Sequence, residues 1–323
     1  MLAIRATEAG GPEVLETVYP PLPKPGPGEI LIRHEAVGLN FIDTYHRSGL
    51  YPISFPAVLG LEGAGVVEAV GAGVTRFHVG DRAAYGTGPL GAYAEAHVVP
   101  EGRAVKLPDT VPTKVAAAAM LKGLTAEFLL RRCHPVKPGE AVLVWAAAGG
   151  VGSILCQWAK ALGATVIGTV GSEGKAEVAR WNGCDHVLLY REEDVAARVR
   201  ELTGGEGVRV VYDGVGKASF EASLASLGRR GMLVSYGNAS GPVPPVEPLA
   251  LSRGGSLYLT RPTLFDYVAT TQELDDASAA LFQAIGSGAV RIGIGAEYPL
   301  AEAREAHEAL QAGETTGSVL LIP

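Results

Sequence analysis

Residues 142–162 constrain the fold of this chain more than any other stretch. An apolar run, Val142-Leu143-Val144-Trp145, is followed by Ala146-Ala147-Ala148-Gly149-Gly150-Val151-Gly152 and then by a helical segment over 153–162. A buried strand, a turn of small residues and a helix, in that order, make a seat for a pyrophosphate. The backbone can approach a dinucleotide closely, and the unpaired N–H groups at the helix start face its negative charge. In the G-x-G-x-x-G register Ala147 stands at the first glycine, while Gly149 and Gly152 fill the other two. Gly150 and Val151 complete the loop. The same turn would also serve tight helix–sheet packing with no ligand, so the surrounding pattern has to decide.

That pattern is alternation. Strands are predicted over 141–145, 165–170, 186–189, 209–212, 231–236 and 256–260, with helices near 153–162, 175–181, 194–202 and 218–227. Six strands with intervening helices predict an α/β unit built on a doubly wound parallel sheet. The texture before about Leu121 differs. Short strands such as 29–36, 64–70 and 81–85 are separated by proline and glycine, and no strand–helix alternation is seen. A helix is expected around 125–133. After Arg261 a long helix is expected over 266–285, then a strand, a helix over 301–312 and a last apolar strand over 318–322. The expected domains are a β-rich one over 1–122, completed by 264–323, and a nucleotide-binding one over 123–263. At 323 residues the chain is long enough for both cores.

Composition narrows the function classes. A net charge of −7 offers no basic footprint, so no nucleic acid partner is expected. Three widely spaced cysteines, Cys133, Cys156 and Cys184, form no C-x-x-C pair and suit a reducing compartment. The N-terminal residues read as a strand without a signal-peptide core. No apolar run is long enough to span a bilayer, so no membrane association is expected. A cytoplasmic enzyme is the expectation.

An ordered series of motifs then resembles one family. It comprises Gly10-Gly11-Pro12-Glu13-Val14-Leu15, Val37-Gly38-Leu39-Asn40-Phe41-Ile42-Asp43, Tyr45 with Arg47-Ser48-Gly49-Leu50-Tyr51-Pro52, and Gly60-Leu61-Glu62-Gly63-Ala64-Gly65. Gly80-Asp81-Arg82, Lys122-Gly123-Leu124-Thr125 and the Ala-Ala-x-Gly-Gly-Val-Gly loop continue it. Over the whole chain the sequence resembles the zinc-free quinone oxidoreductase branch of the medium-chain dehydrogenase/reductase superfamily. The resemblance implies a GroES-like β-rich catalytic domain, a Rossmann domain, a cofactor cleft between them and a homodimer joined through the last Rossmann strand, 256–260. Zinc-dependent members of the superfamily carry cysteine near Asn40 and histidine in a Gly-His-Glu turn; this chain has Asn40 and Leu61. Its seven histidines are scattered without ligand spacing. No metal is therefore expected.

The nicotinamide type is read at the second Rossmann strand. Enzymes that prefer NAD place Asp or Glu near its tip. Here the strand runs into Gly171 and Ser172 with no acid, and Lys175 follows one helical turn later. Ser172 and Lys175 suit a 2′-phosphate, and the resemblance adds Tyr190. The cofactor expected is NADPH. Glu173 is discordant and is expected to point outward. The family pattern places Asn40, Asp43, Tyr45, Thr125, Gly214, Val215, Tyr236, Gly237, Asn238 and Ser318 near the cofactor. The turn at Gly214 and Val215 would expose backbone there. At the same positions Asp43 would also serve as a helix cap and Asn238 as a turn former.

The implied chemistry moves hydride from reduced nicotinamide to an electron-poor acceptor, with donor and acceptor held close and water kept out. Asn40, Tyr45 and Tyr51 are the candidate catalytic residues. Each would donate a hydrogen bond to developing oxyanion charge, and both tyrosines offer flat surfaces to an aromatic guest. A quinone is the leading substrate class. Conjugated enones or enals are a second, and a non-catalytic NADPH-binding protein is a third.

Overall fold

Proline and glycine punctuation cuts the first 110 residues into short strands. The computed structural model describes all residues, Met1–Pro323. In chain order come β1 (Ala3–Ala6), β2 (Leu15–Val18) and β3 (Glu29–Leu39), then α1 (Phe41–Ser48). β4 (Ala57–Val58), β5 (Glu62–Val70), β6 (Arg82–Tyr85), β7 (Ala96–Pro100) and β8 (Val105–Lys106) follow. Next is α2 (Thr113–Phe128), which runs on into a π-helical turn, Leu129–Cys133. The expected helix over 125–133 is thus the end of a much longer one. Ala116, Ala117, Ala118, Ala119 and Met120 are all fully buried. A helix apolar on every side carries no amphipathic period by which to recognise its start.

Strands and helices then alternate: β9 (Ala141–Val144), α3 (Gly150–Ala161), β10 (Thr165–Val170), α4 (Glu173–Trp181), β11 (His186–Leu189), α5 (Val195–Leu202), β12 (Val208–Asp213), α6 (Phe220–Ser226), β13 (Leu227–Ser235), α7 (Pro248–Arg253) and β14 (Tyr258–Thr260). The six strands are parallel, in the order β11-β10-β9-β12-β13-β14. This is the doubly wound Rossmann sheet. The chain leaves β9 toward one edge and returns to build the other, so the order reverses between β9 and β12. Ligands of such sheets lie outside the strand carboxyl ends at that reversal. Helices cover both faces, so the central strands are apolar throughout: Val142, Leu143, Val144, Val210 and Val211 are buried.

The chain closes with α8 (Leu264–Tyr267), α9 (Thr271–Gly286), β15 (Ile294–Pro299), α10 (Ala303–Ala312) and β16 (Ser318–Ile322). One long helix was expected over 266–285; two are found. A capping box makes the break. The Glu273 N–H donates to Thr270 Oγ1 (3.2 Å), and the Thr270 N–H donates to Glu273 Oε2 (2.9 Å). Arg103 donates to the carbonyls of Val268 (2.7 Å) and Ala269 (3.1 Å), which serves backbone that a continuous helix would have paired internally.

β16 pairs antiparallel with β3 and parallel with β15, so the C-terminus completes the N-terminal sheet, β15-β16-β3-β5-β6-β8 with β7 also on β3. Residues Met1–Leu124, Val268–Gly286 and Ile292–Pro323 form one unit; Thr125–Tyr267 and Ser287–Arg291 form the other. Ile30, Ile32, Leu39, Tyr85, Tyr93 and Val319 help fill the first core. Leu143, Ile167, Val199, Val211, Phe220 and Leu233 help fill the second.

Candidate functional site

The turn after β9 is built on Ala146, whose φ is 54°. That left-handed conformation costs an L residue about 1–2 kcal/mol. The sequence register set the first glycine equivalent at Ala147; the strained position is Ala146, and the Ala147 N–H instead donates to the Thr169 carbonyl (3.0 Å). Gly149 caps α3 without a side-chain hydrogen bond, and no acid lies in the first turn. The N–H groups of Gly150, Val151 and Gly152 therefore stand at the open, positive end of a twelve-residue helix. A Cβ on Gly152 would collide with the Ala146 carbonyl oxygen, so only glycine brings helix and turn this close.

At the tip of β10 the chain passes through Gly171 to Ser172, which caps α4 without using its hydroxyl for the cap. Val170 pairs with Leu189, so Gly171 and Ser172 run alongside Tyr190 and Arg191. A Cβ on Gly171 would stand 2.8 Å from the Tyr190 hydroxyl. The Arg191 guanidinium lies 5.9 Å from the Tyr190 ring centre. Burial, and then the nearby charge of Arg191, lower the Lys175 pKa. Two cations thus share this corner. Glu173 does point outward: it is exposed and ion-paired to Arg180 at 2.9 Å. Arg191 was missed from sequence. Its only signal is a Tyr-Arg pair directly after the third Rossmann strand.

The ends of β12 and β13 are tied into one double loop. Asp213 is buried and accepts from the Val215 N–H (2.8 Å), the Gly216 N–H (3.1 Å) and the hydroxyls of Ser219 and Ser223 (both 2.7 Å). The Ala239 N–H donates to the Gly214 carbonyl (3.2 Å) and the Ser240 N–H to the Val215 carbonyl (2.8 Å). Gly237 lies so close to the Gly214 carbonyl that a Cβ would overlap it, and the Tyr236 ring packs over Gly214. With its amide oriented so that both ends are satisfied, Asn238 donates to the Gly237 carbonyl (3.0 Å) and accepts from Arg261 (3.1 Å). Gly214, Val215, Tyr236, Gly237 and Asn238 therefore do come together. The expectation of free backbone at Val215 is corrected, because its N–H is committed to Asp213. Thr125 is buried in the last turn of α2.

Besides Arg132 Nε, three buried polar atoms of this unit have no partner: Trp145 Nε1, Thr169 Oγ1 and Ser235 Oγ. Each sits at or just past the carboxyl end of its strand, β9, β10 or β13. Leaving such an atom unpaired costs about 1–3 kcal/mol. A polar guest lying along the strand ends would pair them. With the open end of α3 and the Lys175–Arg191 corner, these residues fit a phosphorylated dinucleotide.

The other unit carries the remaining candidates. Asn40 caps α1 in a capping box with Asp43, whose Oδ2 accepts from the Asn40 N–H (2.9 Å). The Asn40 side chain donates from Nδ2 to Glu62 Oε2 (2.8 Å) and to the Gly38 carbonyl (3.3 Å). Both amide hydrogens are spent, so the expectation that Asn40 donates to an oxyanion is corrected. Glu62 is fully buried; it also accepts from Lys122 Nζ (2.9 Å) and the Leu121 N–H (2.7 Å). Tyr45 and Tyr51 meet edge to face at 5.2 Å, and the Tyr51 N–H donates to the Tyr45 carbonyl (3.1 Å). The Ser318 hydroxyl is buried and donates to the Ala118 carbonyl (2.7 Å), tying β16 to α2.

Asp43 ends a buried relay. Arg47 donates to His307 Nδ1 (2.9 Å), and His307 Nε2 lies 3.0 Å from the Tyr93 hydroxyl, which donates to Asp43 Oδ2 (2.9 Å). Arginine only donates, so Nδ1 accepts and Nε2 carries the ring proton. Burial lifts Asp43 to about 7, against the opposing hydrogen bonds from Asn40 and Tyr93. Burial also depresses His307 to about 3. No three His, Cys, Asp or Glu side chains gather into a group that could hold a metal ion.

Two family models match the chain: an alcohol dehydrogenase GroES-like domain over residues 26–109 and a zinc-binding dehydrogenase over 150–283. A quinone oxidoreductase of Pseudomonas aeruginosa is 55% identical, with 97% of each chain covered. The chain belongs to the quinone oxidoreductase branch of the medium-chain dehydrogenase/reductase superfamily. A 2-haloacrylate reductase of a Burkholderia species is 44% identical, over 97% of this chain and 96% of that one. The crystal structure of an Escherichia coli quinone oxidoreductase complexed with NADPH superimposes with a TM-score of 0.98 at 49% identity, each chain covered in full. The GroES-like and Rossmann parts expected of this branch are both present. No helix is long and apolar enough to cross a membrane.

Proposed function

We propose that this protein is an NADPH-dependent quinone reductase that works without a metal ion. One observation carries the reading: the Lys175–Arg191 corner beside Ser172 and Tyr190, with Glu173, the acid that opens α4, turned onto Arg180. Two close cations repel each other, and a 2′-phosphate between them would relieve that repulsion through charge-assisted hydrogen bonds. The E. coli relative crystallised with NADPH and the relatives named quinone oxidoreductases support it.

In this reading the N–H groups of Gly150, Val151 and Gly152 take the pyrophosphate. Gly171, Ser172, Lys175, Tyr190 and Arg191 take the ribose phosphate. Thr125, Gly214, Val215, Tyr236, Gly237 and Asn238 shape the Rossmann side of the site. Asn40, Asp43, Tyr45 and Ser318 belong to the catalytic side, with Ser318 acting through its tie to α2. The cofactor supplies the hydride. Tyr45 and Tyr51 supply a ring surface for the acceptor and, with Asn40 committed elsewhere, the hydroxyls that meet oxyanion charge. A quinone is electrophilic without help, and Asn40 and Leu61 replace the cysteine and histidine of the zinc enzymes. Its reduced product takes its protons from solvent.

The 44% identical 2-haloacrylate reductase favours a second reading, reduction of activated C=C bonds on the same scaffold. Following NADPH oxidation with a benzoquinone, a naphthoquinone and a long-chain enal separates the two. Turnover confined to quinones supports the first, and turnover confined to the enal overturns it.

We also propose a cytoplasmic homodimer. Three free cysteines suit a reducing compartment. β14 pairs with β13 alone and leaves Tyr258 exposed on a sheet edge that a second copy would cover. Light scattering that gives the mass of one chain would overturn the dimer.

A further inference from the structure

A carboxylate between two donors sets the polarity of Asn40. Glu62 is 0% exposed and its ammonium partner Lys122 is 4% exposed. Glu62 Oε1 is fixed by the Leu121 N–H at 2.7 Å, and Oε2 is shared by Lys122 Nζ at 2.9 Å and Asn40 Nδ2 at 2.8 Å. A carboxylate only accepts, so the nitrogen of the Asn40 amide is the end that must face it. The second Nδ2 hydrogen goes to the Gly38 carbonyl. Turning the amide over would set its oxygen against a buried carboxylate and a carbonyl. What Asn40 has left to offer is Oδ1, the acceptor end of its amide, which stands at the first turn of α1.

We propose that Glu62, held by Lys122, is a positioning residue that makes Asn40 an acceptor toward the bound molecules, so that Asn40 reads an N–H or O–H group on them. This rests on the reading above, in which Asn40 lies on the catalytic side of the site. A buried ion pair is a costly way to gain stability, since an apolar pair of similar volume often does as well. Orienting one amide is work that an apolar pair could not perform. Two sources present such a donor: the nicotinamide carboxamide and the hydroxyl of a hydroquinone product.

The test compares wild type with Glu62→Gln, whose amide can donate to Asn40 and release it to turn over. The double variant Glu62→Gln/Lys122→Met guards against misfolding from an unpaired buried charge, and circular dichroism checks both folds. Two comparisons are made. Steady-state KM and kcat are measured for NADPH against its reduced 3-acetylpyridine analogue, which lacks the carboxamide N–H. Inhibition is measured for hydroquinone against its dimethyl ether, which lacks the O–H. Wild type is expected to disfavour one of the two donor-free compounds by about tenfold, roughly one hydrogen bond to a buried acceptor; which one identifies the source. Both variants are expected to lose that discrimination. Equal discrimination in folded variants, or none in wild type, overturns the proposal. Failure of wild type to bind NADPH at all would instead overturn the functional reading.

Discussion

In the proposed reading, single residues decide the cofactor. Lys175 and Arg191 are sixteen positions apart, and the register of β10 against β11 brings their backbones to the same corner. Lys175 was named from sequence because a lysine one turn past the second strand is itself a signal. Arg191 was not, because its position depends on how two strands align. Arg191→Ala is expected to raise the KM for NADPH about tenfold or more and to leave that for NADH unchanged, as befits one charge-assisted contact to a phosphate. Initial rates at 340 nm check this; an equal change for both cofactors would assign Arg191 to general packing. Asn40 shows the opposite limit. The motif puts it among the proposed site residues, but its polarity depends on Glu62 and Lys122, far off in sequence. Hydrogen-bond accounting, not residue type, turns it from donor to acceptor.

Elements were legible where alternation was regular. Every Rossmann strand was found from its apolar run, with ends shifting by a few residues, because helices on both faces demand continuous hydrophobicity. Two helices were misread for opposite reasons. α2 begins early because its alanine-rich turns are buried on all sides. α9 begins late because Thr270 and Glu273 stop the chain ahead of it, although apolar residues continue across the break. The T-x-x-E spacing was available in the sequence and was outweighed by that continuity. Thr270→Ala is expected to cost about 1 kcal/mol, the usual loss for an N-cap. A urea denaturation midpoint lowered in proportion checks it, and an unchanged midpoint would leave Arg103 as the main reason for the break.

The whole molecule carries a pH dependence set by its buried histidines. Burial lowers His34 and His97 from 6.5 to about 4, and His307 to about 3. Above pH 6.5 these rings are neutral whether folded or not. As pH falls below 6.5 the unfolded chain takes up protons that the fold refuses, so stability drops until the folded values are reached. Asp43 works the other way. Its folded value of about 7 exceeds 3.8, so its contribution is full below 3.8 and is lost as pH rises toward 7. Three groups against one leave net destabilisation by acid, on the order of 3–5 kcal/mol between pH 7 and 4.5. Urea midpoints across that range check it, and a flat profile would show that these rings are not buried neutral. At this same scale the two-part α/β organisation was readable from texture, whereas the orphaned atoms at the strand ends needed coordinates, because they arise from three separate strands. Those atoms, the open end of α3 and the paired cations all point to one guest. Calorimetric titration of the purified protein with NADPH and with NADH tests this most directly. The account predicts saturable NADPH binding at one site per chain, at least tenfold tighter than NADH; equal affinities, or no NADPH binding, would contradict it.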